Sequence, residues 1–193
     1  MPSNPLPKRL RLLLLAACLA APGWAAAQPA PLRGIALQDH RGQPVSAASL
    51  AGRPLLLHFV FTGCSSTCPM QVRELAVMHD GLPSAVRQQL RVLSVSVDPR
   101  ADTPATLADY ARRLDADRPG WRFATGSLAQ VESLLDRMAA AGPSRKAEDH
   151  RTSIWLYDAG GQLVQRYAGV PVDRARLQRE IAQLVDNPRN PKR

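Results

Sequence analysis

From residue 54 to residue 61 the chain reads Pro-Leu-Leu-Leu-His-Phe-Val-Phe, an almost unbroken apolar run. That pattern predicts a strand buried on both faces of a sheet. Arg91 to Val97 predicts a second strand ending at Asp98-Pro99, and Trp121 to Thr125 a short third. Ile35 to Gln38 and Val45 predict two short strands around the turn Asp39-His40-Arg41-Gly42. Ser153 to Tyr157 and Gln162 to Tyr167 predict a hairpin closed by Asp158-Ala159-Gly160-Gly161. Helical spacing fills the gaps. Val72, Leu75, Ala76 and Met78 share one face of a helix from Met70 to His79, with Pro69 suited to its first turn. Thr103 caps a helix that opens on Pro104 and runs to about Leu114. Ser127 and Gln130 form a capping box for a helix that Gly142-Pro143 ends. Asp173 caps a last helix to about Val185, Ser49 to Arg53 reads as a turn, and residues 143–151 read as a loop.

Strands alternating with helices predict an α/β fold, a mixed sheet flanked by helices with additional β-hairpins. Two cysteines follow the first long strand and precede the first helix, which is the layout of a thioredoxin-like fold. The domain is expected over residues 32–186, with residues 187–193 a disordered basic tail. Residues 1–27 have the form of an export signal: a basic start at Lys8, Arg9 and Arg11, a short apolar core, then Ala25-Ala26-Ala27. A rival cut lies in Leu15-Ala16-Ala17-Cys18, which resembles a lipobox and would leave Cys18 lipidated. Either cut predicts a protein acting in the periplasm, soluble or lipid-anchored at Cys18.

The 193-residue chain carries a net charge of +9. Without residues 1–27, which hold three basic and no acidic residues, 22 basic residues face 16 acidic ones, leaving +6. No basic run is interleaved with aromatics, so nucleic-acid binding is not expected. The positive surface suits anionic head groups or an acidic partner. A monomer is expected.

Cysteine usage changes the picture further. After the soluble cut the chain keeps Cys64 and Cys68, in the stretch Gly-Cys-Ser-Ser-Thr-Cys-Pro. A bridge closing so small a loop would constrain the unfolded chain little. Thiols placed for chemistry are therefore expected, either a redox disulfide Cys64–Cys68 or a soft metal site. Cys68 sits at the helix start, where free N–H groups favour a thiolate. Thiolates suit Cu(I), and an added imidazole lets a site hold Cu(II) too. Among the histidines, His40 reads as solvated, His58 as a satisfied core residue, and His79 as a cation on a helix end. His150 lies in the loop approaching the Ser153 strand, which such a sheet places beside the thiol loop. Thiol exchangers of this fold carry a cis-proline at that approach, and this chain has Thr152 there. Met70 reads as core filler rather than a thioether ligand.

Three stretches, FVFTGCSSTCPMQ, VLSVSVDPRADTPATLADYA and EDHRTSIWLYDAGGQLV, together resemble the Sco/SenC family of copper proteins, which assist assembly of the CuA centre of cytochrome c oxidase. The resemblance implies that Cys64, Cys68 and His150 bind one copper ion, Cu(I) or Cu(II). It implies a metallochaperone rather than an enzyme, with the oxidase subunit carrying CuA, or another periplasmic copper or thiol protein, as partner. Asp98 matches the family's Val-Asp-Pro aspartate, and its expected role is a turn and cap ahead of support for the site. This chain has Ser-Ser-Thr between the cysteines, where the best-known members carry a Pro-Asp pair. The same two thiols also fit a periplasmic thiol-disulfide oxidoreductase or redox sensor, for which His150 would be dispensable.

Overall fold

The computed structural model describes residues 30–140, 152–167 and 170–187. Its centre is strand β3 (Leu55–Val60), all six residues of which are buried. Alternation along a strand sends Leu55, Leu57 and Phe59 into one core layer, and Leu56 and Val60 into the other. His58 shares the second face. Strand β4 (Arg91–Ser96) pairs parallel with β3, and β6 (Ile154–Tyr157) pairs antiparallel on its other side. The flanking strands are β1 (Leu37–Asp39), β2 (Pro44–Val45), β5 (Trp121–Thr125) and β7 (Leu163–Tyr167). Among the described residues the sheet order is β2-β1-β5-β4-β3-β6-β7. This is the mixed sheet that the alternation of elements predicts, with a hairpin at each end.

Helices cover both faces. α2 (Thr67–Asp80), α4 (Pro104–Arg113) and α6 (Arg174–Asp186) bury their apolar stripes in the layer containing Leu56 and Val60. α5 (Leu128–Ala140) and α1 (Ala47–Leu50) pack on the other layer. Three boundaries differ from the sequence expectations. Residues 49–53 are not simply a turn, because a Ser46–Ser49 capping box starts α1 ahead of it. A short α3 (Ser84–Gln89) occupies a segment with no helical periodicity, because Val86 is its one buried residue. α2 starts at Thr67, three residues earlier than expected, so Cys68 lies inside its first turn and Pro69 is its third residue. The expected loop 143–151 and the tail beyond Asn187 lie outside the described residues, as does the segment 1–27.

The α4 cap forms as its sequence requires: Thr103 Oγ1 accepts the Thr106 N–H at 3.2 Å, with Pro104 next. Thr103→Ala is expected to lower the unfolding free energy by about 1 kcal/mol in a denaturant titration, with the slope unchanged.

Candidate metal centre

The chain leaves β3 at Val60 and turns through Phe61, Thr62 and Gly63 before Cys64. The turn is tight because the Phe61 ring lies over Gly63. A Cβ on residue 63 would stand 2.5 Å from Phe61 Cζ. Thr62 is held from the next loop by Asp102, which is fully buried. Asp102 accepts from the Thr62 hydroxyl and N–H, and from Ser96 Oγ at 2.6 Å. Asp98 caps its own turn instead, accepting the N–H groups of Arg100 and Ala101 at 3.3 and 3.4 Å.

The first turn of α2 then fixes Cys64. Its N-cap, Ser66, makes no side-chain capping bond, and Pro69 has no N–H to offer. The donors left over belong to Ser66, Thr67 and Cys68. Cys64 Sγ accepts the Cys68 N–H at 3.5 Å, and the Ser66 and Thr67 N–H groups add to the pull on it. Partial burial pushes the Cys64 thiol up, but the N–H groups of Cys68, Ser66 and Thr67, with the Cys68 side chain, outweigh burial and hold it below the ordinary thiol range. Cys68 goes the other way. Burial, then donation to Cys64, pushes it up to about 11, against a weaker downward pull at the Phe61 backbone. The expectation that the helix start would favour a Cys68 thiolate is therefore overturned. The helix donors act on the sulfur outside the helix, and Cys68 itself turns inward.

Both cysteines are free in this structure. They line one cavity of about 260 Å³ with Phe59, Phe61, Val97 and Thr152. Thr152, at the head of β6, thus borders the thiols, as its place in the sheet predicts. Tyr110, on α4, feels the thiols electrostatically without lining that cavity. Burial, then the negative charges of Cys68, Cys64 and Asp102, push its ionisation up, and its buried hydroxyl has no hydrogen-bond partner. Met70 is half exposed, so it is not core filler. His150 and Cys18 lie outside the described residues. Among the described residues no three His, Cys, Asp or Glu side chains stand together to hold a metal ion. The thiol pair supplies two soft donors, the type that copper prefers.

A buried hydrogen-bond chain ties Thr152 to the centre of the sheet. Trp121 Nε1–H donates to Ser94 Oγ at 2.8 Å, and the Ser94 hydroxyl donates to His58 Nε2 at 2.7 Å. His58 Nδ1–H donates to Gln71 Oε1 at 3.2 Å, and Gln71 Nε2–H donates to the Thr152 carbonyl at 2.5 Å. Each group then has one direction, which fixes the neutral His58 tautomer. His58 is thus the satisfied core histidine that the sequence suggests. His40 and His79 depart from expectation. His40 is buried between the Phe123 N–H and Asp117, each at 3.1 Å. Burial, partly offset by Asp80, holds His79 below the ordinary range, so it is not a helix-end cation.

The SCO1/SenC family model matches residues 33–186. The chain belongs to the SCO1/SenC family. A Stutzerimonas stutzeri protein named for copper binding is 31% identical, with 79% of this chain and 76% of that protein aligned. The SCO1 protein homolog of Bacillus subtilis is 31% identical, over 69% of this chain and 71% of the homolog. Copper-bound yeast Sco1 superposes with a TM-score of 0.65 at 24% identity, covering 81% of this chain and 94% of that one. A second Sco structure, BsSco, described with a disulfide switch, gives 0.67 at 24%, over 83% and 95%. These likenesses show that the SCO1/SenC chain has the thioredoxin-like fold. Family-level properties are copper binding and an association with cytochrome c oxidase assembly.

Two consequences are measurable in this SCO1/SenC protein. With iodoacetamide at neutral pH, mapped by mass spectrometry on the reduced chain, Cys64 is expected to alkylate well ahead of Cys68. Cys68 should gain comparable reactivity only as pH approaches 11. His58 makes stability acid-sensitive. Burial lowers its pKa from 6.5 to about 4, with Gln71 and the Phe59 backbone pulling weakly upward. Below pH 6.5 the unfolded chain takes up a proton that the folded chain refuses, so stability falls with pH until about pH 4. Relative to His58→Gln, the wild type is expected to lose about 3 kcal/mol of unfolding free energy across that window.

Proposed function

We propose that this protein is an exported copper metallochaperone. Cys64, Cys68 and His150 take one copper ion as cargo and pass it by ligand exchange to the oxidase subunit that carries CuA. The observation that carries this reading is the placing of two free, adjoining thiols on one cavity, with the Cys68 N–H reaching Cys64 Sγ at 3.5 Å, which gives the pair an ionisation asymmetry. Helix N–H groups hold the Cys64 thiol below the ordinary range, and the charge on Cys64 is one of the causes that push Cys68 up. A cation reverses that sign. Once copper binds the Cys64 thiolate, the second thiolate is attracted rather than repelled, so uptake displaces the Cys68 proton. An imidazole from His150 completes a set that holds Cu(I) or Cu(II). The apolar rim of Phe59, Phe61 and Val97 keeps water from the sulfurs while an acceptor docks. Residues 1–27 serve as the export signal, or Cys18 as a lipid anchor, and the monomeric domain works in the periplasm.

The same asymmetry favours a second reading, thiol-disulfide exchange. The Cys64 thiolate would attack a target disulfide and release one target thiolate. Cys68, losing its proton, would then attack Cys64 Sγ in the mixed disulfide, leaving Cys64–Cys68 oxidised and the target reduced. That chemistry needs no histidine.

Copper stoichiometry separates the two. A reduced chain lacking residues 1–27 is expected to bind one Cu(I) in anaerobic competition and to show thiolate-to-Cu(II) charge transfer. His150→Ala should abolish the charge-transfer band and weaken binding by on the order of tenfold or more. If the wild type binds no copper tightly, or the variant binds equally well, the His150 assignment fails and thiol exchange becomes the leading function.

A further inference from the structure

α2 has a second functional end. Cys68 and His79 are separated by about 17 Å of helix. His79 lines a cavity of about 250 Å³ with Ser84, Arg87, Arg91 and Gly120, at the pole of the sheet opposite the thiols. The His79 side chain is 4% exposed, and neither ring nitrogen has a hydrogen-bond partner. Its ring packs against Trp121 at 6.0 Å between centroids. Asp80 Oδ1 is 3.8 Å from Nδ1, but that carboxylate is already engaged by Arg118 at 2.7 and 2.6 Å. A buried imidazole left unpaired carries a desolvation cost that nothing among the described residues offsets.

The charge of the wall comes from two arginines, beside neutral Ser84, Gln88, Pro119 and Gly120. Arg91 is half-buried, and no hydrogen bond or ion pair engages its guanidinium among the described residues. Its charged neighbours are Arg53 and Arg122. Arg87 is braced by donating to the Asp80 carbonyl at 3.0 Å, which leaves its other N–H groups free for the cavity. Gly120, at φ +82°, keeps the mouth open. A Cβ there would press on the Leu90 carbonyl at 2.9 Å and approach Arg91 Nη1 at 3.7 Å.

We propose that this cavity binds the phosphate group of a ligand, with Arg91 and Arg87 donating guanidinium N–H groups and His79 donating from its imidazolium. A carboxylate presents two oxygens and would satisfy one arginine fork. A phosphate presents more acceptors in a tetrahedron and can engage two arginines, the imidazole and Ser84 together. Binding is coupled to protonation. His79 faces Asp80 on its own helix, Arg87 on α3, Arg91 on β4 and Arg118 before β5, so its surroundings are net cationic. An anion in the cavity offsets both burial and that charge, which favours the protonated ring. By reciprocity, affinity rises as pH falls through the His79 range. The site is independent of the copper reading.

The test follows the four histidine rings by NMR in the full chain at fixed ionic strength, with chloride exchanged for inorganic phosphate. Co-sedimentation with phosphatidylglycerol vesicles in phosphate-free buffer forms a second arm. The His79 midpoint is expected to rise by about one pH unit with phosphate, while buried His58 stays put. Arg91→Gln and Arg87→Gln should each weaken binding at least about tenfold more than Arg112→Gln, a charge-matched control on α4. A response to free phosphate assigns a soluble ligand. Vesicle binding that Arg91→Gln removes and Arg112→Gln spares, without a response to free phosphate, assigns a lipid head group. No response in either arm, or equal loss in all three variants, overturns the proposal.

Discussion

The first turn of α2 has N–H donors and no side chain of its own to receive them. Ser66 does not cap the helix, and Pro69 removes a fourth donor from the turn. The sulfur of Cys64 is what the remaining donors find. Helix termination and thiol activation are thus one interaction. The tight turn beneath the Phe61 ring and the grip of buried Asp102 on Thr62 hold the loop where that sulfur can serve. A side chain evolved only for capping would have been serine or aspartate. Using a sulfur costs some capping strength and leaves a thiol with a lowered pKa on the wall of a cavity.

The other wall of that cavity is held from inside the sheet. His58 interrupts the most apolar strand of the protein, an expensive place for an imidazole unless both nitrogens are paired. They are paired, to Ser94 and Gln71, and the chain of bonds ends on the Thr152 carbonyl. Thiols and the head of β6 are therefore referenced to the same buried frame. The thiols and Thr152 thus keep fixed places around the cavity they line.

α2 links this centre to the cationic pocket at its far end. The two ends use opposite electrostatics. At the start, helix donors stabilise a negative sulfur. At the end, an unpaired imidazole and two arginines form a wall with donors and no free carboxylate.

Much of this was legible in the chain itself. The order of elements along the chain, the mixed sheet, the caps at Thr103, Ser127 and Asp173, and the placing of both cysteines beyond β3 follow from apolar periodicity and short-range capping chemistry, which depend on neighbours within a few residues. Cys64 and Cys68 were identifiable as a pair on the same grounds. The rest was set by residues far apart in sequence. Which thiol ionises depends on which one the helix donors reach and which one turns inward. Asp102 looks like any turn aspartate until Thr62 arrives from 40 residues away, and Tyr110 looks like any helical core residue. His40 reads as solvated until Asp117 and Phe123 close over it, and His79 reads as a terminal cation until Trp121 buries it. Local pattern fixes the elements because backbone hydrogen bonding is local. Charge state and burial are decided by what the fold brings alongside, and only the tertiary structure contains that.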